Sequence, residues 1–290
     1  MLRWRLLLGI LLTAALVGLC WLDNQAQVAG VWLLPLVVVL AMAATQETLA
    51  LADAAGMHPA PAPVYVGNLL LVIVNWLPAI LPHQISVPAV AWPLLALGVG
   101  LLLVIVVELW RYQKPGGATG NVAAAIFAMV YVGLMLSFVV QLRILWGVGA
   151  LASMLLVVKM GDTGAYTVGR LIGRHKMAPR LSPGKTVEGG IGALVFSCAI
   201  AWIAFTWIVP ATISSSTPRG AIWGPLAYGL LVGAAGIIGD LAESLLKRDV
   251  GRKDSSTWLP GFGGVLDMVD SVLIAAPVAW ACWLLGLVGR

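Results

Sequence analysis

The chain has 290 residues, of which 61% are hydrophobic and 10% charged, and its mean hydropathy is +0.99. Soluble domains are about 45–50% apolar and about 25% charged, so the composition excludes an ordinary soluble enzyme or binding module. It predicts an all-α, polytopic integral membrane protein, and the 13 Trp fit that class because Trp favours the membrane–water interface.

Nine apolar runs approach the about 20 helical residues that a hydrocarbon core requires. They cover roughly 6–22, 28–46, 64–81, 87–107, 122–140, 144–158, 191–209, 222–238 and 271–288. Arg3 and Arg5 precede the first run, as in a signal peptide, but no small-residue cleavage site follows Trp21-Leu22-Asp23. The run is therefore expected to stay as an anchor. Pro59, Pro61 and Pro63 break the chain after the second run. Asn68 and Asn75 share one face of the third helix and are expected to hydrogen-bond to a neighbouring helix. Cys20, Cys198 and Cys282 lie far apart inside apolar runs and read as small hydrophobes.

With nine spans and a cytoplasmic N-terminus, 14 of the 17 Lys and Arg fall inside, and only Arg143, Arg219 and Arg290 fall outside. This is a strong positive-inside bias. It predicts a multi-pass protein of a bacterial-type inner (cell) membrane with its charged loops in the cytoplasm. The net charge of +5 then reflects orientation and attraction to anionic membrane lipids, and a nucleic-acid partner is not expected.

Acidic residues divide the chain. Residues 1–158 hold Asp23, Glu47, Asp53 and Glu108, and the other eight acids lie between Asp162 and Asp270. We expect an N-terminal transmembrane scaffold, 1–158, and a catalytic transmembrane region, 159–290, with cytoplasmic loops at 159–190 and 243–270.

The first loop, "KMGDTGAYTVGRLIGRHKMAPRLSPGKTVEGG", carries seven glycines, six basic residues and His175, with Asp162 near its start and Glu188 near its end. Glycines let a backbone approach a ligand closely, and their N–H groups can cradle phosphate oxygens. A phosphate site is expected here. A P-loop is not, because Pro179 stands where the G-x-x-x-x-G-K-[ST] pattern needs glycine.

The second region starts within the eighth helix. Asp240 follows an uncharged run from Ala221, and an acid within a membrane helix is costly enough to be a functional candidate. Helical spacing puts Asp240, Glu243 or Ser244, and Lys247 on one face, and Glu243 and Lys247 suit a simple ion pair. After Pro260-Gly261-Phe262-Gly263-Gly264, Asp267 and Asp270 stand one turn apart. Two such carboxylates repel unless a cation lies between them. Mg²⁺ bound with substrate phosphates fits, and the expected metal set is Asp267, Asp240 and Asp270. The residues thus predict metal-assisted phosphoryl or nucleotidyl transfer, in which positioning and charge neutralisation carry catalysis.

These stretches resemble the phosphatidate cytidylyltransferase (CDP-diacylglycerol synthase) family. Its C-terminal signature is met by Ser244, Lys247, Arg248, Lys253, Asp254, Pro260, Gly261, Gly263, Gly264, Asp267 and Asp270. Its upstream pattern is met by Asp162, Ala165, Tyr166, Gly169, Gly173, Ser182, Pro183, Lys185, Thr186, Glu188 and Gly189. The resemblance implies transfer from CTP to phosphatidate, giving CDP-diacylglycerol and pyrophosphate. It implies a catalytic set of Asp240, Asp267, Asp270, Lys247 and Lys185. Substrate contacts are implied at Asp162, Tyr166, Ser182, Lys185, Thr186, Glu188, Ser244, Lys247, Arg248, Lys253, Asp254, Gly263 and Gly264. A homodimer stays open.

Two positions depart from the pattern: Phe262 replaces the usual His, and Met268 the usual Arg. A divergent member with another lipid-phosphate substrate is therefore a rival reading. A CDP-alcohol phosphatidyltransferase fits less well, because D-G-x-x-A-R is absent and the second acid follows Asp267 at three residues. An ion-coupled transporter would call for internal repeats, and none is visible.

Overall fold

The computed structural model describes residues 2–80, 88–212, 223–256 and 263–289. Helices account for most of them. In chain order they are α1 (Leu2–Asn24), α2 (Leu34–Ala54), α3 (Pro61–Trp76), α4 (Ala91–Arg111), α5 (Ala118–Trp146), α6 (Val148–Ile172), α7 (Val187–Thr212), α8 (Trp223–Asp249) and α9 (Leu266–Leu284). Among the described residues, α2 and α4 to α9 are long and apolar enough to cross a membrane, and the apolar parts of α1 and α3 are shorter. The expected all-α, multi-pass architecture is present. Of the nine runs expected to be long enough or nearly so, the described residues show seven as long apolar helices and two as shorter ones.

The boundaries move where charged residues continue a helix. Val148–Ile172 is one helix, so Asp162 and Tyr166 are helical and not part of a loop. α8 likewise runs on through Asp240 and Lys247 to Asp249. What remains of the first loop is a two-stranded hairpin, β1 (Lys176–Ala178) against β2 (Ser182–Thr186). Phe262 and the Pro260-Gly261 turn lie outside the described residues.

The chain forms two compact units. One comprises Met1–Gln141 and Asp249–Met268, the other Leu142–Arg248 and Val269–Arg290. The division expected between residues 158 and 159 falls inside α6.

In the first unit, α3 and α4 approach closely at Gly67 and Gly100, and Met129 of α5 lodges its sulfur against both. Around this contact Leu49, Val64, Leu71, Ala96 and Val104 form a buried core. Lipid offers little hydrophobic drive for helix association, so small residues and internal hydrogen bonds do that work. Asn68 Nδ2 donates to Thr45 Oγ1 of α2 at 2.7 Å, and Gln141 Nε2 donates to Asn75 Oδ1 at 3.0 Å. The role expected for the two asparagines is the one they have.

The second unit is built on glycine seams. A Cβ on Gly164 would lie 2.6 Å from the Gly192 carbonyl oxygen, and one on Gly192 would lie 2.5 Å from Val168 Cβ. Gly161 faces Ser197, while Gly169 and Gly173 face Thr186. Gly229 and Gly233 of α8 meet Ser197 and Cys198 of α7, and Gly239 meets the backbone of Asp270 and Ser271. The glycines expected to cradle phosphate therefore mostly serve helix packing. In the hairpin, Gly184 alone has open space around its Cα.

Candidate active site

In the second unit, charged side chains gather on the polar ends of α6, α8 and α9, with the hairpin beside them. Thr186 caps α7 by accepting a hydrogen bond from Gly189 N at 3.1 Å. Glu188, in the first turn of α7, accepts from Arg174 N at 3.1 Å and His175 N at 3.2 Å, and pairs with His175 Nδ1 at 2.6 Å. These contacts fold the hairpin back against the helix start. Strand β2 then presents Lys185, whose Nζ lies 2.6 Å from Asp240 Oδ2. That Nζ is shielded from water, and the pair lacks regular hydrogen-bond geometry, so its donors can still serve an anion.

Asp162 pairs loosely with Lys159 at 3.4 Å. The charges of Asp162 and Asp240 act on one another, and both act on Asp270. Asp270 is buried, with 6% of its surface exposed. The sequence-predicted Asp162, Lys185, Asp240 and Asp270 are thus brought into one electrostatic neighbourhood. Lys247 is held differently: its Nζ lies 2.7 Å from Glu243 Oε2, and both side chains are nearly buried. This is the ion pair that helical spacing suggested. Arg248 Nε donates to Leu181 O at 3.1 Å, which ties α8 to the hairpin. Tyr166 is exposed and hydrogen-bonds Arg170 at 2.8 Å. Ser182 and Ser244 are half-buried.

In the first unit, Asp267 Oδ2 accepts from Ser255 Oγ at 2.7 Å, Gly264 N at 2.8 Å and Ser255 N at 3.1 Å. Gly263 adopts φ +85°, a conformation that favours glycine, and a Cβ there would lie 2.5 Å from Asp267 Oδ2. Gly264 has no room for a Cβ either, which would collide with Ser255 Oγ and Glu47 Oε2. Lys253 and Asp254 are exposed.

Among the described residues, no group of three or more His, Cys, Asp or Glu side chains is arranged to hold a metal ion. Mg²⁺ does not need one. It keeps several waters and takes one or two carboxylates plus substrate phosphates, and the carboxylate chemistry of the expected residues Asp240, Asp267 and Asp270 fits it.

Sequence reading missed Glu47. Its carboxylate, 5% exposed, receives hydrogen bonds from Ser255, Val265 and Leu266. The signal was present, because an acid inside an apolar helix is suspect wherever it occurs.

Apolar helices long enough to span a membrane, with carboxylates and lysines gathered at their polar ends, fit a membrane-embedded enzyme. The particular family follows from comparison. Residues 3–285 match the cytidylyltransferase family, and the chain belongs to it. Proteins named phosphatidate cytidylyltransferase in Mycobacterium bovis and Mycobacterium tuberculosis are each 32% identical over 279 residues, covering 91% of this chain and 84% and 78% of theirs. One of the same name in Staphylococcus saprophyticus is 37% identical over 158 residues, covering 54% of this chain and 57% of its own.

Proposed function

We infer that the chain transfers the cytidylyl group of CTP to phosphatidate, releasing pyrophosphate and forming CDP-diacylglycerol for phospholipid synthesis. The observation that carries this reading is the neighbourhood of Asp162, Lys185, Asp240 and Asp270 in a chain matched over nearly its whole length to the cytidylyltransferase family.

An oxygen of the phosphatidate phosphate attacks the α-phosphorus of CTP, a new P–O bond forms, and the bond to the β-phosphate oxygen breaks. Both substrates are anionic, so the first requirement is charge neutralisation. Lys185 meets it with a shielded ammonium held in place by Asp240. Arg248 and Lys253 add positive charge at the end of α8 and beyond it, and Lys247 does so within its pair with Glu243. Asp240 and Asp270 would hold Mg²⁺, with Asp267 in support. When bound, the ion supplies positive charge to the triphosphate oxygens and orients them. Phosphatidate enters sideways from the cytoplasmic leaflet with its acyl chains in lipid, and both charged segments face the cytoplasm.

A second reading keeps the chemistry and changes the lipid phosphate. Met268 favours it, because it stands where the family pattern has Arg. One experiment addresses both. Membranes containing the chain are incubated with CTP labelled in the cytidine, with and without added phosphatidate. Label in the lipid extract that depends on phosphatidate supports the first reading. Label that appears only with another lipid phosphate supports the second. No lipid label with any acceptor sinks cytidylyl transfer.

A further inference from the structure

α2 sends one carboxylate into the polar segment that precedes α9. Glu47 Oε1 accepts from Val265 N at 2.9 Å, and Oε2 accepts from Leu266 N at 2.8 Å and Ser255 Oγ at 2.8 Å. The two amides lie at the start of α9, where helix N–H groups lack intrahelical partners and the helix dipole favours an anion. Ser255 Oγ also lies 2.7 Å from Asp267 Oδ2. The hydroxyl has one proton for two carboxylate acceptors, so it donates to one or shares the proton between them, and it couples the position of the α2 carboxylate to that of the α9 carboxylate.

The geometry leaves little tolerance. Gly264 N donates to Asp267, while a Cβ on Gly264 would strike Glu47 and Ser255. A polar cavity of about 360 Å³ lies between α2 and the residues around Ser255, lined by Gln46, Glu47, Ala50, Arg252, Asp254 and Ser255 among others. Hydrogen bonds to one buried carboxylate join α2 to Ser255 and to the start of α9 beside this space.

We propose that Glu47 is a positioning residue for the reaction: through Ser255 and the backbone at Val265 and Leu266, it fixes where Asp267 stands. The proposal rests on the reading that Asp267 supports the metal and substrate phosphates. Glu47 touches neither. It acts as an outer partner that orients a ligand, and loss of such partners typically costs about 10- to 100-fold in metal affinity or activity.

The test uses the full chain in detergent micelles and compares Glu47→Gln, Ser255→Ala and Glu47→Asp with a control on the same helix, Thr48→Val. Thr48 is buried and its hydroxyl donates to the Ala44 carbonyl oxygen within α2. Three quantities are measured: Mn²⁺ binding by electron paramagnetic resonance, kcat and KM for CTP, and the rate of tryptic cleavage at Arg252 and Lys253. Glu47→Gln puts an amide donor where three donors converge. It should weaken Mn²⁺ binding and lower kcat about 10- to 100-fold, change KM for CTP less than kcat, and speed cleavage. Ser255→Ala should follow in the same direction, Glu47→Asp should fall between it and the parent, and Thr48→Val should leave all three near the parent values. Unchanged Mn²⁺ binding in Glu47→Gln overturns the proposal. So does faster cleavage with Mn²⁺ binding and kcat unchanged, because Glu47 would then only stabilise the fold. If the parent chain transfers nothing from CTP to phosphatidate, the functional reading fails, while Mn²⁺ binding and cleavage still decide the role of Glu47.

Discussion

Lys185 Nζ and Asp240 Oδ2 lie 2.6 Å apart, which ties strand β2 to α8 through charge. The pair is partly open to water, with 20% of the Lys185 and 42% of the Asp240 side chain exposed, and such pairs contribute at most about 1 kcal/mol to stability. Lys185→Met should therefore leave thermal unfolding in detergent nearly unchanged. It should lower kcat/KM for CTP by about 100-fold, the size expected when a donor to a developing phosphate charge is lost. A proportionate loss of stability and activity would make the lysine structural and remove it from the site.

The glycine seams predict a different pattern. Ala at position 164 would bring its Cβ to 2.6 Å from the Gly192 carbonyl oxygen, and such overpacking costs about 1–3 kcal/mol. Gly164→Ala should lower the unfolding temperature, and Gly184→Ala should not, because nothing lies within 4 Å of its added Cβ. If Gly184→Ala abolishes CTP turnover while Gly164→Ala is silent, the glycines serve phosphate binding after all.

Glycine has two uses that composition cannot separate: close approach to a ligand and close approach of another helix. That ambiguity bears on the 159–190 segment, whose glycines mostly line the α6–α7 contact. The apolar runs, by contrast, were legible because lipid imposes length and composition on them directly. Helix ends were not, because Asp162 in α6 and Lys247 in α8 carry charge without ending the helix. Glu47 was hidden by distance: its partners stand more than 200 residues away in sequence, and nothing local marks it as a cap for α9.

The carboxylates separate by charge more than by size. Asp267→Asn and Asp270→Asn keep shape and remove a negative charge, so each should abolish Mg²⁺-dependent turnover while the protein still inserts. A bound metal contributes several kcal/mol of transition-state stabilisation. Asp249→Asn, at the exposed end of α8, should be mild. Small and equal effects in all three, measured against Mg²⁺ concentration, would refute the metal assignment.

Sidedness is testable with cysteines placed where the chain is open. Thr186 is buried and caps a helix, so Gly184→Cys and Lys253→Cys are better reporters. Both should react with a membrane-impermeant maleimide only after the cytoplasmic face is exposed. Labelling of either in intact cells would break the proposed topology.

Met268 stands beside Asp267 in the first turn of α9 and is half-buried. A guanidinium at this position could neutralise a carboxylate or grip a phosphate with two donors, and a thioether can do neither. Without it, the acids should lean more heavily on the metal. Met268→Arg should then lower the Mg²⁺ concentration for half-maximal turnover, or raise turnover at saturating CTP, with the unfolding temperature unchanged. Met268→Leu, which keeps the apolar volume, should leave the Mg²⁺ dependence as it is. If Met268→Arg folds normally and loses activity, the site has been rebuilt around an apolar side chain. The acceptor would then differ from phosphatidate, and a screen of other lipid phosphates with labelled CTP becomes the deciding measurement.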